Sequence, residues 1–218
     1  MDWLKVWQDK AITDNYFTQT GRGNSFTTYQ FLLYIQDVQN ALHLCKEDNL
    51  LDIGGGPGYV AMHLSPFVNS ITMTDFSEEM IKQAKTQAKA FGNIEVCKEN
   101  ILKTHRSSFG NKYNKVLVGS VLQYLENMGE AKQALINIYN LMENGIALFT
   151  HNPDASKKES HLATVKPEAL DMENARLWLD FDEIHDIAMN IGFRVCRKLA
   201  INPLIWQSSH MFDMVVQK

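Results

Sequence analysis

Residues 49–59 have the sequence Asn49-Leu-Leu-Asp-Ile-Gly-Gly-Gly-Pro-Gly-Tyr59. The apolar residues at the start are typical of a short, buried strand. Glycine then occupies every second position, at Gly54, Gly56 and Gly58, where it permits backbone angles that other residues avoid. Pro57 suits the first turn of a helix. The segment therefore predicts a strand, a tight glycine turn and the beginning of a helix.

A second predicted strand, at residues 71–74, is followed directly by Asp75. A carboxylate at this point can accept two hydrogen bonds from the diol of a ribose. The next residue, Phe76, is placed to lie against a purine ring. The helix that follows the glycine turn offers free N–H groups, which suit the carboxylate or phosphate of a ligand. Together these features predict a nucleoside-binding site.

Strands and helices alternate through most of the chain. This alternation predicts an α/β fold, a mostly parallel sheet with helices on both faces. The last two strands have no helix between them, which predicts an antiparallel pair at one edge. Ligands of such sheets bind beyond the carboxyl ends of the strands, so the turns after the first four strands are predicted to line one site. The predicted strands are 50–53, 71–74, 94–98, 115–119, 145–150, 193–199 and 211–216.

The whole chain, residues 1–218, is predicted to form a single domain. Residues 1–48 are predicted to be an N-terminal helical cap, with Ser25 as the N-cap of its second helix. Residues 151–178 are polar and contain two prolines, so we expect an insertion or lid at the ligand-binding edge of the sheet.

The composition is that of a soluble globular protein, with 45% apolar and 21% charged residues and a formal net charge of −4. This acidic balance gives no reason to expect nucleic acid or a membrane as partner. The three cysteines are far apart, so neither a metal site nor a disulfide framework is predicted. No signal peptide and no membrane-spanning run is recognised, and we expect a cytoplasmic protein.

The glycine turn alone fits two classes of protein. Residues 56–61, Gly-Pro-Gly-Tyr-Val-Ala, match the dinucleotide fingerprint G-x-G-x-x-G/A, so an NAD(P)-dependent oxidoreductase is one alternative. Three features favour another class. Asp52 lies two residues before Gly54, the glycines alternate, and the chain ends in a strand hairpin rather than a sixth parallel strand.

An ordered set of motifs resembles the class I S-adenosylmethionine (SAM)-dependent methyltransferases. Leu51-Asp-Ile-Gly-Gly-Gly-Pro-Gly58 is similar to their first motif, and Thr72-Met-Thr-Asp-Phe-Ser-Glu-Glu-Met80 to the second. Val118-Gly-Ser-Val-Leu-Gln-Tyr-Leu125 resembles the fourth motif, whose backbone faces the methionine end of SAM. In Val96-Cys-Lys-Glu-Asn-Ile101, Asn100 stands where the family usually has an acid.

The resemblance implies a seven-stranded sheet of order 3-2-1-4-5-7-6 with strand 7 antiparallel, and N-terminal helices that lie over the cofactor. It implies SAM as the methyl donor and S-adenosylhomocysteine (SAH) as the product. In this geometry Arg22 is placed to pair with the SAM carboxylate, and Tyr16 and Phe17 to help close the site. The predicted cofactor-binding residues are Asp52, Gly54, Gly56, Gly58, Asp75, Phe76, Asn100, Ile101, Ser120 and Arg22.

The implied activity is methyl transfer to an acceptor. The Asn/Asp-Pro-Pro-Tyr signature of enzymes that methylate nucleic-acid amino groups is absent after the fourth strand, which favours a small-molecule acceptor over nucleic acid. Location alone makes His151, Tyr124 and Asp154 candidates for a catalytic base. A SAM-binding protein without methyl transfer is a further alternative. The sequence predicts neither the atom that is methylated nor the oligomeric state.

Overall fold

The computed structural model describes residues 1–13, 19, 26–104 and 113–218. Its centre is a seven-stranded sheet of order β3-β2-β1-β4-β5-β7-β6. The strands are β1 (Asn49–Ile53), β2 (Ser70–Asp75), β3 (Ile94–Lys98), β4 (Tyr113–Gly119), β5 (Met142–Pro153), β6 (Val195–Leu199) and β7 (Met211–Gln217).

The first five strands pair in parallel, and β7 pairs antiparallel with both β5 and β6. The predicted order and the antiparallel last strand are therefore confirmed. β1 lies between β2 and β4, which places the glycine turn at the centre of the sheet edge. This is the switch point at which such sheets bind ligands.

Helices cover both faces of the sheet. They are α1 (Trp3–Ala11), α2 (Thr28–Leu42), α3 (Tyr59–Leu64), α4 (Glu78–Ala88), α5 (Met128–Leu141), α6 (Lys158–Leu162), α7 (Pro167–Asn174) and α8 (Phe181–Ile191). Short 3₁₀ turns follow α3 and β4 and precede α6 and β7.

Capping residues define where these helices begin. The side chains of Ser77, Asn127 and Asp180 accept backbone N–H groups in the first turns of α4, α5 and α8. α8 ends at Gly192, which has a φ of 117° and so closes the helix in the left-handed region.

Two apolar cores form, one on each face of the sheet. Leu51 belongs to the core under α5 and α8, whereas its neighbour Leu50 belongs to the core under α2, α3 and α4. Both side chains are fully buried. The two-residue period of a strand thus distributes a continuous apolar run over both faces, as in sheets that are covered on each side.

The N-terminal helices partly match the prediction. α2 begins at Thr28, and Thr27 forms a capping box with Gln30, so the predicted N-cap Ser25 is wrong. The reciprocal Thr27 and Gln30 bonds satisfy two backbone donors at once, an advantage that a lone serine lacks. α1 packs against α4, where the Gln83 side chain donates a hydrogen bond to the carbonyl of Ala11.

Residues 151–178 differ from the predicted polar loop. His151, Asn152 and Pro153 continue β5 and are buried, because this part of the strand pairs with β7 beyond a bulge. The following segment contains α6 and α7. Its two ends meet, since Ala155 donates to the carbonyl of Leu179 and Leu179 to that of Pro153. The segment is therefore an insertion whose two ends lie side by side at the end of β5.

Among the described residues, no helix is both long enough and apolar enough to cross a membrane.

Candidate functional site

The glycine turn is held against β2 by backbone hydrogen bonds. The N–H groups of Gly54 and Gly55 both donate to the carbonyl of Thr74, at 2.8 and 3.0 Å. Gly54 and Gly56 have φ angles of 72° and 58°, in the region that favours glycine. A Cβ atom at Gly54 would lie 2.3 Å from Cγ2 of Val121. The turn therefore requires glycine for its conformation and for its close approach to the loop after β4.

Asp75 connects this turn to the end of β2. One carboxylate oxygen accepts the N–H of Gly56 at 3.0 Å, and the other accepts the N–H of Ser77 at 2.9 Å. Burial raises the pKa of Asp75 to about 6, although the N–H donors of Ser77, Gly56 and Phe76 oppose this shift. Each oxygen retains a further lone pair, so the carboxylate can also accept ligand hydroxyl groups.

A pocket of about 700 Å³ opens above the ends of β1, β2, β3 and β4. Its volume lies within the range of roughly 300–1,000 Å³ that small-molecule and cofactor sites occupy. The structure brings eight of the predicted cofactor residues to its lining: Asp52, Gly54, Gly56, Asp75, Phe76, Asn100, Ile101 and Ser120.

The charged side chains of the described lining are all carboxylates. They are Asp2, Asp52, Asp75, Glu99, Glu126 and Glu130, and the described lining contains no lysine, arginine or histidine side chain. Carboxylates at the rim and floor of a partly enclosed pocket favour a ligand that carries positive charge.

Asn100 lies in the turn after β3. Its side-chain oxygen accepts the N–H of Leu102 at 2.9 Å, and its backbone carbonyl accepts the N–H of Lys103 and the hydroxyl of Thr104. These bonds fix the amide within the turn. One lone pair of the side-chain oxygen and the NH₂ group remain for a ligand, which is compatible with recognition of a purine edge.

Ser120 and His151 meet at the ends of the neighbouring strands β4 and β5. The Ser120 hydroxyl lies 3.3 Å from Nδ1 of His151, and the His151 ring stacks on Tyr34, with ring centroids 4.9 Å apart. The His151 backbone N–H donates to Asp213 at 2.7 Å. His151 itself is buried and does not line the pocket, whereas Ser120 and Tyr34 do.

Aromatic side chains of α1 cover the other side of the pocket. Trp3 and Trp7 line it and contact the ring of Tyr124, with centroid distances of 4.7 and 5.1 Å. Tyr124 is the one catalytic candidate of the three that reaches the pocket lining. The resemblance implied N-terminal helices over the cofactor, but it did not indicate that Trp3 and Trp7 would line the pocket, because helical spacing does not show which side chains face a ligand.

Gln19 and Tyr59 are further lining residues that the sequence did not indicate. The Tyr59 hydroxyl donates to the Gln19 side-chain oxygen at 3.3 Å. This contact joins the N-terminal cap to the helix after the glycine turn, and no local motif signals it.

Three of the predicted residues that the structure describes, Gly58, Asp154 and His151, do not line the pocket. Gly58 begins α3, and a Cβ atom there would lie 3.3 Å from Sδ of Met73 and 3.6 Å from Cβ of Ala84, so this glycine permits close packing. Asp154 pairs with Lys198 at 2.7 Å outside the pocket lining. Arg22, like Tyr16 and Phe17, lies outside the described residues.

With this geometry in place, the chain can be compared with known proteins. Residues 51–146 match the model of a family described as a methyltransferase domain. This part of the chain therefore resembles a methyltransferase domain. The match begins at the first glycine motif and ends within β5, so it contains the four turns that line the pocket. No protein of curated function matches the sequence.

Solved structures show that the similarity in fold extends over the whole chain, as the resemblance implied. One is the N-methyltransferase NodS from Bradyrhizobium japonicum WM9 in complex with SAH, with a TM-score of 0.72 and 15% identity, covering 100% of this chain and 99% of that one. Another is the DhpI-SAM-HEP complex, with a TM-score of 0.70 and 13% identity, covering 99% and 96%.

Proposed function

We propose that this methyltransferase domain binds SAM in the pocket and transfers the methyl group to a small-molecule acceptor, releasing SAH. The observation that carries the proposal is Asp75. Its buried carboxylate stands at the end of β2, is bonded to the backbone of the glycine turn, and faces the pocket. An acceptor-only group at this position suits the hydroxyl groups of a ribose.

The rest of the lining supports the same cofactor. SAM carries a positive sulfonium centre and an ammonium group, and the charged side chains of the described lining are all carboxylates. The glycine turn allows the ligand to approach the backbone closely. Phe76, Asn100 and Ile101 border the part of the pocket next to Asp75, where we place the adenosine.

When bound, SAM supplies an electrophilic methyl group on a positively charged sulfur that leaves readily. The contribution of the chain is to hold the acceptor in line with that methyl group and to exclude water. α1 and Tyr124 enclose the pocket on the side away from the sheet. A base is required only when the acceptor must lose a proton.

Tyr124 is our first candidate for that base because its ring lies in the pocket lining. His151 acts at most through Ser120, to which it is adjacent. Asp154 is the weakest of the three candidates, since its carboxylate is paired with Lys198 and bonded to Ser156.

A small-molecule acceptor is supported by the enclosure of the pocket. The aromatic side chains of α1 leave a cavity of ligand size rather than an open groove along the sheet edge. Two similar structures also point in this direction, the N-methyltransferase NodS with SAH and DhpI with SAM and HEP.

Titration calorimetry with SAM, SAH and NADH tests the cofactor. We expect SAM and SAH to bind and NADH not to bind. Binding of NADH without SAM would replace the proposal by the oxidoreductase alternative. Incubation of the protein with methyl-labelled SAM and a metabolite extract then tests transfer, and SAM binding without any labelled product would favour a SAM-binding protein that does not transfer methyl groups.

A further inference from the structure

A cluster of buried and partly buried polar side chains lies directly behind the wall of the pocket. Its members are Lys10 on α1, Glu173 on α7, Arg176 just after α7, His161 on α6 and His210 before β7. Two residues of the pocket wall connect it to the pocket. Lys10 lies 4.6 Å from the ring of Trp7, and Arg176 follows Ala175 in the chain; both Trp7 and Ala175 line the pocket.

Contacts within the cluster are close. An Arg176 nitrogen lies 2.7 Å from one Glu173 carboxylate oxygen, and Nε2 of His161 lies 3.4 Å from the other. The rings of His161 and His210 stack with centroids 3.8 Å apart. The side chains of His161, Glu173 and Arg176 are each only 10–11% exposed. Glu173 is therefore in close contact with both Arg176 and His161.

The cluster nevertheless lacks several hydrogen-bond partners. Nε of Arg176 and Nε2 of His210 are buried and have no hydrogen-bond partner among the described residues, and within the same part of the chain neither Nε2 of His161 nor the facing Glu173 oxygen makes a hydrogen bond. Buried polar atoms in native proteins are nearly always satisfied, and each exception requires an explanation. Their concentration in one place beside the pocket points to a ligand group that is absent from the protein alone.

The charges indicate the sign of that group. Lys10 and Arg176 carry two positive charges, and Glu173 supplies one negative charge. Burial, together with the charge of Arg176, lowers the pKa of Lys10. An anion beside Lys10 and Arg176 would balance the excess charge and would give Nε of Arg176 an acceptor.

His210 indicates a second chemical group that the ligand would carry. The Ser209 hydroxyl donates to the carbonyl of Trp206, so it accepts a hydrogen from Nδ1 of His210. Burial lowers the pKa of His210 to about 3, so the ring is neutral and Nε2 carries a lone pair. Nε2 is therefore an acceptor that suits a hydroxyl or amino group of the ligand.

We infer that the methyl acceptor is an organic acid whose carboxylate or phosphate group is held by Lys10 and Arg176. This inference rests on the proposed methyltransferase function. The charged side chains of the described pocket lining are all carboxylates, which repel an acid group. The cluster beside the lining would therefore also determine which end of the acceptor points away from the cofactor.

The test fractionates a metabolite extract by anion exchange and offers each fraction to the protein with methyl-labelled SAM. We expect labelled product from the retained, acidic fraction. Product from the neutral or basic fractions alone would overturn the inference. SAM binding by the same protein, measured by calorimetry, would then show that SAM remains the cofactor. Phosphatase treatment of the active fraction separates the two sources of charge: loss of the acceptor indicates a phosphate, and its retention a carboxylate.

Variants connect the result to the cluster. Lys10→Gln and Arg176→Gln should each raise the KM for the acidic acceptor at least tenfold and leave SAM affinity unchanged, and Lys10→Arg should restore most of the loss. Lys5→Gln is the matched control, because Lys5 is an exposed lysine on the same helix. An unchanged KM in folded Lys10→Gln and Arg176→Gln proteins would also overturn the inference.

Discussion

Ser120 and His151 lie at the ends of β4 and β5, and both adopt the left-handed backbone conformation, with φ angles of 59° and 55°. Their side chains face each other at 3.3 Å. Such angles cost non-glycine residues roughly 1–2 kcal/mol each, and residues held in this way concentrate at functional sites. The pair therefore shapes the floor of the pocket, where Ser120 is exposed to a ligand.

His151→Asn separates a positioning role from a catalytic one. Asparagine tolerates the left-handed conformation but lacks the ring that contacts Ser120 and Tyr34. We expect the KM for SAM to rise about tenfold while kcat at saturating SAM falls less than threefold. A fall in kcat of a hundredfold or more with an unchanged KM would instead identify His151 as the base. Steady-state kinetics with labelled SAM measures both quantities.

Asp75→Ala should weaken SAM binding by about 1–3 kcal/mol, the usual effect of removing a charged hydrogen-bonding partner. Because Asp75 also holds Gly56, thermal unfolding must show that the variant is folded. The matched control is Glu78→Ala, which removes an exposed carboxylate at the beginning of the neighbouring helix. Equal SAM affinity in the folded Asp75→Ala and wild-type proteins would contradict the ribose assignment.

SAM binding should also depend on pH through Asp75. The pKa of this carboxyl in the free protein is raised to about 6, and only the ionised form is a pure acceptor. Affinity should therefore be constant above pH 7 and fall about tenfold between pH 7 and pH 5. Asp75→Asn should lose most of this dependence. Calorimetry at a series of pH values measures it, and an equally steep dependence in Asp75→Asn would assign the titration to another group.

Gly54→Ala should destabilise the domain and abolish tight SAM binding. Alanine would have to adopt a φ of 72° at this position, and its Cβ would lie 2.3 Å from Cγ2 of Val121. The double variant Gly54→Ala/Val121→Ala removes the clash but not the backbone strain, so it should recover only part of the lost stability. Gly92→Ala is the control, since a Cβ there meets no atom within 4 Å. Denaturant unfolding should show that Gly54→Ala is the least stable, that the double variant is intermediate, and that Gly92→Ala is close to the wild-type protein.

Asp213→Asn should stabilise the protein at neutral and higher pH. Burial raises the pKa of Asp213 to about 7, above its value in the unfolded chain. A raised acid pKa means that the folded state binds the proton more tightly, so stability falls as pH rises from about 4 to about 7. Asparagine can still accept the His151 N–H without ionising. The free energies of unfolding of Asp213→Asn and the wild-type protein should therefore differ more at pH 8 than at pH 4. A larger difference at pH 4 would contradict this assignment.

Much of the fold followed from local patterns. The bounds of β3 were predicted to the residue, because Ile94 and Val96 follow the two-residue period of a strand. The order of the strands came from the resemblance, since periodicity does not specify which strands are neighbours. β5 was predicted three residues too short at each end, and at its carboxyl end the polar residues His151 and Asn152 are held in the strand by tertiary contacts.

The candidate site was predictable where it is built from turns that directly follow strands. Asp75, Asn100 and Ser120 fall into this group. The N-terminal helical cap followed from the resemblance, but its lining side chains did not, because Trp3, Trp7 and Ala175 reach the pocket only through the packing of distant helices. The buried cluster behind that cover was missed for the same reason: its members come from four separate segments of the chain.

The position of Met1 and Asp2 in the pocket lining has a practical consequence for the study of this domain. Any peptide fused ahead of Met1 would start at the mouth of the cavity, where it could compete with ligands or hold α1 away from Tyr124. The opposite terminus is remote from this edge, since Lys218 donates hydrogen bonds to the carbonyls of Tyr139 and Met142 near the start of β5. Purification handles and fluorophores for the binding assays therefore belong after Lys218, joined by a flexible spacer.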